Sequence, residues 1–451
     1  PCNRTNFAVM PHPNQAGLAF KRAVPTSLDR ASYAGCRLYG WMASPYTAKV
    51  HAMLSYKRLP FTDVVPSAMQ LRLTVKPAVG RVIMPAVRLG DGSWRQDSAL
   101  ICDEVERNHP DRPTRPPGAT QRLAASLLEL HADEWLPMVA LHYRWNTGNA
   151  DWAVSEFGRC AFPMLPSLIA SRLAQPVADR MRALCRVHGA VSPALAGIES
   201  FTERLIGTLE RHLAAGSAAG GGPQPYLLGG VPCRADFALY GPLWAHLYRD
   251  PHSRAMFDGA PHVVRWFERL HGHAADAAFP QLAARDAAAA PASTSPDSAS
   301  GSAAKFLPDD EVPETLDPLF RALFDEQWPF LQLACAAVDE HAAAHPDAAR
   351  TPRAFGYAPF VAGGVTGERR LLAYSAWRAQ RPLDEYWGLA LAPSRELELR
   401  RVDAWLARLG VRDAFRALQP AVRLERDGEL PQPFDVLRPR DGRRLPFNAW
   451  H

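Results

Sequence analysis

The chain has 451 residues, 47% hydrophobic and 22% charged, which suits two or three globular domains and excludes a low-complexity or fibrous protein. Its 51 basic and 46 acidic residues leave a net charge of +5, too balanced to argue for a nucleic-acid partner, and no apolar run approaches the ~18 residues of a membrane-spanning helix. Seven cysteines (Cys2, Cys36, Cys102, Cys160, Cys185, Cys233 and Cys335) are scattered without a CxxC pair, which argues against a zinc site or disulfide framework and for a reducing compartment.

In chain order, residues 1–35 read as a disordered leader. Arg4, Lys21, Arg22 and Arg30 against Asp29 resemble a transit segment only in composition, without an amphipathic pattern, so the expected location is cytoplasmic, with organellar import as the alternative. Residues 36–111 then show a regular alternation. A strand pattern over Arg37–Trp41 leads to the turn Ala43-Ser44-Pro45-Tyr46. A helix follows, with Val50, Met53 and Leu54 at helical spacing. Ser44 suits its N-cap and Pro45 its first turn, where a missing N–H costs nothing. Strands are expected over Phe61–Val65 and Ile83–Val87, the second with Pro85 inside it. The Gly90-Asp91-Gly92 turn joins it to Trp94–Ser98, a hairpin signal, and Asp97-Ser98 opens a helix through Asn108. The order is β-α-β, a crossing segment, then β-β-α.

This order, with a proline at that strand, resembles the thioredoxin-like N-terminal domain of the cytosolic glutathione transferases. A proline is tolerated in a strand pattern only at an edge, a bulge or a special peptide bond. The resemblance implies a cis bond before Pro85 and a backbone contact from Met84 to the cysteinyl part of glutathione. It implies a γ-glutamyl contact from Asp97 and Ser98, with Gln96 beside them, and a hydroxyl from Ser44 facing the glutathione sulfur. The chemistry is consistent. A free thiol is mostly protonated at neutral pH, and a hydroxyl at a helix N-terminus, with its partial positive charge of ~0.5, favours the thiolate. Helix-start amides also suit a carboxylate. Ser44 and Asp97 would equally cap their helices without any ligand.

After the Pro-rich linker 112–118, residues 119–273 read as an all-helical domain. Leu123, Leu127, Leu128, Leu130, Trp135, Leu136 and Leu141 recur at helical spacing on one helix running from Thr120. Further helices are expected near 151–174, 176–187 and 193–214. In the family the first of these helices lines the pocket for the electrophile. Trp135, His142 and Tyr143, with Tyr46 from the first domain, are therefore the candidate substrate pocket, and interhelical packing is the alternative. The run Leu228-Gly229-Gly230-Val231-Pro232-Cys233-Arg234-Ala235-Asp236 is similar to the family's Leu-x-Gly-x-x-x-Ser/Thr-x-Ala-Asp stretch. Cys233 stands where Ser or Thr is usual, and Asp236 is expected to be a buried helix cap with a structural role.

Residues 274–304, rich in Ala, Ser, Asp and Pro, read as a disordered linker. A helical extension is expected over 305–419, with helices at 314–344, 367–391 and 394–418. The Gly363-Gly364 turn would precede the second, and an irregular tail would occupy 420–451. His341 and His345 look like a helix end rather than a metal site.

The fold expected is therefore an α/β thioredoxin-like domain, an all-α glutathione-transferase domain and a mainly helical extension. The function implied is conjugation of the glutathione thiolate to a small hydrophobic electrophile, as in detoxification, with glutathione as co-substrate and no metal. A homodimer is what the family implies. The rival is a non-catalytic binding or scaffold module, favoured by the long segment between Lys76-Pro77 and Met84-Pro85 and by the extension.

Overall fold

The computed structural model describes residues 35–218, 225–271, 305–426 and 444–447. The leader and the 274–304 linker lie outside these residues. The first unit is a four-stranded sheet of β1 (Cys36–Tyr39), β2 (Phe61–Val64), β3 (Ala86–Arg88) and β4 (Trp94–Gln96), in the order β2-β1-β3-β4. β1 and β2 are parallel and are joined through helix α1 (Pro45–Tyr56); β3 and β4 are antiparallel neighbours. Between β2 and β3 run α2 (Ala68–Gln70), one π-helical turn (Leu71–Val75) and α3 (Lys76–Val79). Helix α4 (Ser98–Asn108) closes the unit. The sequence expectation placed Pro85 within the third strand. The strand instead starts at Ala86, one residue after the cis Met84–Pro85 bond, because proline lacks the N–H that a ladder needs.

The helices that follow are α5 (Ala119–Glu134), α6 (Leu136–Trp145), α7 (Ala150–Ala161), α8 (Ser167–His188), α9 (Leu195–Ala218), α10 (Arg234–Pro242) and α11 (Pro261–His271). The single helix expected from Thr120 through Trp145 breaks at Trp135, where Pro137 opens α6. The break expected at residue 175, between helices near 151–174 and 176–187, falls instead at 162–166, and Pro176 lies inside α8. Asp236 is fully buried. Its carboxylate accepts from Cys233 N (2.8 Å), Leu227 N (3.1 Å) and Trp266 Nε1 (2.9 Å), which ties α10, the preceding loop and α11 together.

The extension packs onto both preceding units. It comprises α12 (Asp317–Ala322), α13 (Trp328–Ala344), the hairpin β5 (Ala354–Ala362) and β6 (Val365–Leu372), then α14 (Ala373–Ala390), α15 (Glu396–Arg408) and α16 (Arg412–Ala417). Helix was expected to begin at residue 367, yet 367–372 are strand. Gly363 and Gly364 take positive φ (57° and 82°), the condition for a two-residue hairpin turn. The tail contributes β7 (Arg423–Arg426), which pairs in parallel with β8 (Arg444–Phe447), where irregular structure was expected. The extension also completes an earlier helix. α5 has no capping side chain of its own, and the Asp310 carboxylate accepts from Thr120 N (2.7 Å) and Gln121 N (2.9 Å). Gly118 makes this possible, since a Cβ there would lie 1.9 Å from an Asp310 oxygen.

Candidate functional site

The sheet register gathers the first-domain candidates. Tyr39, Ala86 and Gln96 lie side by side across β1, β3 and β4, and the antiparallel directions bring the end of β1, the start of β3 and the end of β4 to one edge. Ser44, Met84-Pro85 and Asp97-Ser98 therefore leave the sheet at the same end. Ser44 is half-buried at the N-cap of α1, where its Oγ accepts from Thr47 N at 3.4 Å. Met84 and Gln96 are half-buried, and Pro85 and Ser98 are buried. Asp97 caps α4 through its Oδ1, which accepts from Ala99 N (2.9 Å) and Leu100 N (3.3 Å). Its φ of 78° is unusual for a non-glycine residue, and the two capping bonds help hold it there.

The other oxygen of Asp97 is occupied by the extension. The Tyr374 hydroxyl, at the start of α14, donates to Asp97 Oδ2 at 2.9 Å, and the buried Arg426 guanidinium of β7 pairs with the same oxygen. Burial alone would raise the Asp97 carboxyl. Arg426, then Arg378 and the Tyr374 hydroxyl, outweigh that and hold it at about 2.

Beside Asp97 lies a buried ionic strip along α5. Lys49 of α1 reaches Glu129 (2.8 Å) and Asp133 (2.7 Å), and Arg378 of α14 reaches the same Asp133 oxygen at 2.6 Å. Arg234 bridges Glu129 and Asp103, both at 2.6 Å, and Arg381 of α14 also binds Asp103. Burial works against the Lys49 ammonium, but Asp133 and Glu129 prevail and raise it above its ordinary value. Glu134, next along α5, receives a hydrogen bond from Ser375 Oγ at 2.6 Å. Burial dominates there and pushes its carboxyl up to about 7. Arg369 of β6 donates to the Glu134 carbonyl and stacks over Trp135.

Each candidate substrate-pocket residue is engaged within the protein. Tyr46 donates its hydroxyl to the Asp133 carbonyl at 3.1 Å. Trp135 is fully buried against Phe330 and Phe360 of the extension. His142 pairs with Glu199 of α9 at 3.0 Å, and Tyr143, also buried, packs against the His142 ring. The space between α5 and the first domain is thus filled by α14 and the hairpin. A cleft of about 390 Å³ remains further along, between α4, α5 and α14, lined by charged residues including Asp103, Arg115, Arg122, Arg381 and Glu385.

Sequence reasoning missed Lys49, Glu129, Asp133, Tyr374, Arg378 and Arg426. A signal was present in Glu129 and Asp133 four apart on α5, and in Tyr374, Arg378 and Arg381 along one face of α14. Charged residues at that spacing normally mark a solvated face, and here two such faces meet and bury each other. Among the described residues no cluster of three or more His, Cys, Asp or Glu side chains could hold a metal ion.

Residues 38–113 match the family described as glutathione S-transferase, N-terminal domain. The chain carries a glutathione S-transferase-type domain. No curated protein matches the chain. Among solved structures, similar ones include the beta-etherase LigF from Sphingobium sp. strain SYK-6 (18% identity, TM-score 0.34, covering 55% of this chain and 99% of that one). Another is a glutathione S-transferase from Rhodospirillum rubrum F11 (16%, TM-score 0.34, 55% and 91%). A third, from Methylobacterium radiotolerans, is in complex with glutathione sulfonate (21%, TM-score 0.33, 55% and 93%). The transferase-type domain is followed by a mostly helical remainder, and no described helix is long and apolar enough to cross a membrane.

Proposed function

We propose that this chain is a glutathione-transferase-like module whose tripeptide site is held closed by its own extension, so that it acts by binding or scaffolding and not by turnover in this state. The observation that carries the reading is the Tyr374 hydroxyl and Arg426 guanidinium on the Asp97 carboxylate, the group expected to meet the γ-glutamyl end. A γ-glutamyl group would bring its own ammonium to that carboxylate, so the guanidinium and the ligand compete for one place. The extension also lies across the junction of the first two domains, through Arg381–Asp103 and Arg115–Glu385. A homodimer using that junction would be blocked.

The second reading, a glutathione transferase acting on a small hydrophobic electrophile, is favoured by one specific observation. Ser44, the cis Met84–Pro85 bond and Ser98 share a single sheet edge, beside the α1 N-terminus. In that reading Ser44 donates to the sulfur, Met84 offers its backbone, and Gln96, Asp97 and Ser98 hold the γ-glutamyl end once α14 withdraws. Calorimetry with glutathione and turnover of an aryl halide separate the two. The module reading expects little heat and no turnover from the wild type. Turnover by the wild type that Ser44→Ala abolishes would establish the transferase. Turnover confined to the Tyr374→Phe/Arg426→Ala variant would identify a masked enzyme.

A further inference from the structure

The α7–α8 hairpin has an arrangement that the proposed function does not use. α8 turns its small residues inward. Ala170, Ala174, Ala178 and Cys185 are buried, and Gly158 of α7 lies so close that a Cβ would sit 2.7 Å from the Ala170 backbone. The large apolar residues face outward: Met164 is 92% exposed, Leu168 64%, Leu173 49% and Ile169 47%, with Leu165 and Val177 also exposed. A helix of a water-facing surface normally shows the reverse. Contiguous exposed apolar surface of this kind marks a contact site for another protein or a membrane.

The charge on the same arc selects between these. Arg172 and Arg180 are exposed between the outward apolar residues, and no acid pairs with either among the described residues. The one acid of α8, Asp179, is engaged by Gln175 (2.9 Å) and Arg182 (3.3 Å). Two copies meeting face to face about a two-fold axis would bury these guanidiniums while the one acid of α8 is already engaged, whereas an anionic headgroup layer would satisfy them while the aliphatic side chains enter the acyl boundary. We propose that the exposed face of α8, with the Met164-Leu165 tip, is a peripheral docking surface for a bilayer containing anionic lipid, lying in the interface without spanning it.

The test is vesicle flotation of the full chain with pure phosphatidylcholine and with equal parts phosphatidylcholine and phosphatidylglycerol. Binding is expected to the anionic vesicles only and to weaken with salt. Arg172→Gln/Arg180→Gln is expected to lower the partition coefficient by about thirtyfold, roughly a factor of five per guanidinium. Leu168→Ser/Ile169→Ser is expected to lose at least tenfold. All these positions are exposed, and circular dichroism checks that the variants keep the wild-type fold. Absence of flotation overturns the proposal, as does flotation that neither variant weakens. A concentration-dependent dimer abolished by Leu168→Ser/Ile169→Ser assigns the face to a second copy and also overturns it.

Discussion

Replacing Arg426 by alanine removes the cation that holds the Asp97 carboxylate ionised inside the protein. The carboxyl stands at about 2 against an ordinary 3.8. A difference of nearly two units, at 1.36 kcal/mol each, is worth roughly 2 kcal/mol. Breaking a buried pair by removing one partner costs more, ~3–5 kcal/mol, because the other charge stays buried. The capping amides, Tyr374 and Arg378 remain, which places the expected loss at about 3 kcal/mol. The folded carboxyl lies below its unfolded value, so its contribution is complete above about pH 4 and disappears as pH falls towards 2. Hydrogen exchange over α4 and α14 reads the effect locally, and about a hundredfold faster exchange at neutral pH is expected. The gap in melting temperature between wild type and variant should close as pH approaches 2. Unchanged exchange over both helices, or a gap that persists at pH 2, would refute the coupling between Arg426 and Asp97.

Glu134 has the opposite sign. Its folded carboxyl, at about 7, lies above the ordinary 4.5, so it destabilises the protein increasingly as pH rises from 4.5 through 7. Glu134→Gln should therefore be roughly 3 kcal/mol more stable than wild type at pH 8 and nearly equal at pH 5 by urea unfolding, a difference that parallel curves would disprove. Lys49→Met leaves Glu129 and Asp133 with arginine partners only, and should cost ~3 kcal/mol in the same assay. Asp236→Ala leaves three donors without their acceptor and should either unfold the helical domain or lower its stability by more than 3 kcal/mol, measured by calorimetry. At Gly241 of α10 a Cβ would lie 2.4 Å from the Pro45 carbonyl oxygen, so Gly241→Val should displace the α1 start and weaken any glutathione heat without altering the Asp97 contacts.

The parts legible in the sequence were those whose signals are local. Ser44-Pro45 marks a helix start by its own chemistry, and the Gly-Asp-Gly hairpin, Asp97-Ser98 and the Cys233–Asp236 box each announce themselves within a few residues. The hairpin of the extension was hidden for a local reason. β6 alternates inward and outward, but its inward positions include Gly367 and Arg369, so the alternation does not appear in hydrophobicity. The ionic strip was hidden for a non-local one. The pairs Arg378–Asp133 and Tyr374–Asp97 join residues more than two hundred positions apart. Nothing in either segment alone distinguishes a buried charged face from a solvated one. The same blindness explains the substrate-pocket expectation. Trp135 on a transferase-type helix is a reasonable pocket residue until Phe330 and Phe360 are known to cover it.

The proposed closure of the site by the extension has a quantitative consequence for any ligand. If withdrawing Tyr374 and Arg426 from Asp97 costs about 3 kcal/mol, the open state is populated at less than about one per cent, and apparent affinity falls by the same factor. A tripeptide with an intrinsic dissociation constant near ~10 μM would then bind the wild type only near ~1–2 mM, and Arg426→Ala would recover most of that loss. The direction discriminates between causes. Damage to the site from a misfolded extension would weaken glutathione binding along with stability, whereas competition for Asp97 requires the less stable variant to bind more tightly. Measuring both on the same protein therefore tests the plug independently of whether the chain turns over any electrophile. An Arg426→Ala chain that loosens α14 yet gains no affinity would mean that Asp97 belongs to the architecture and not to a ligand site.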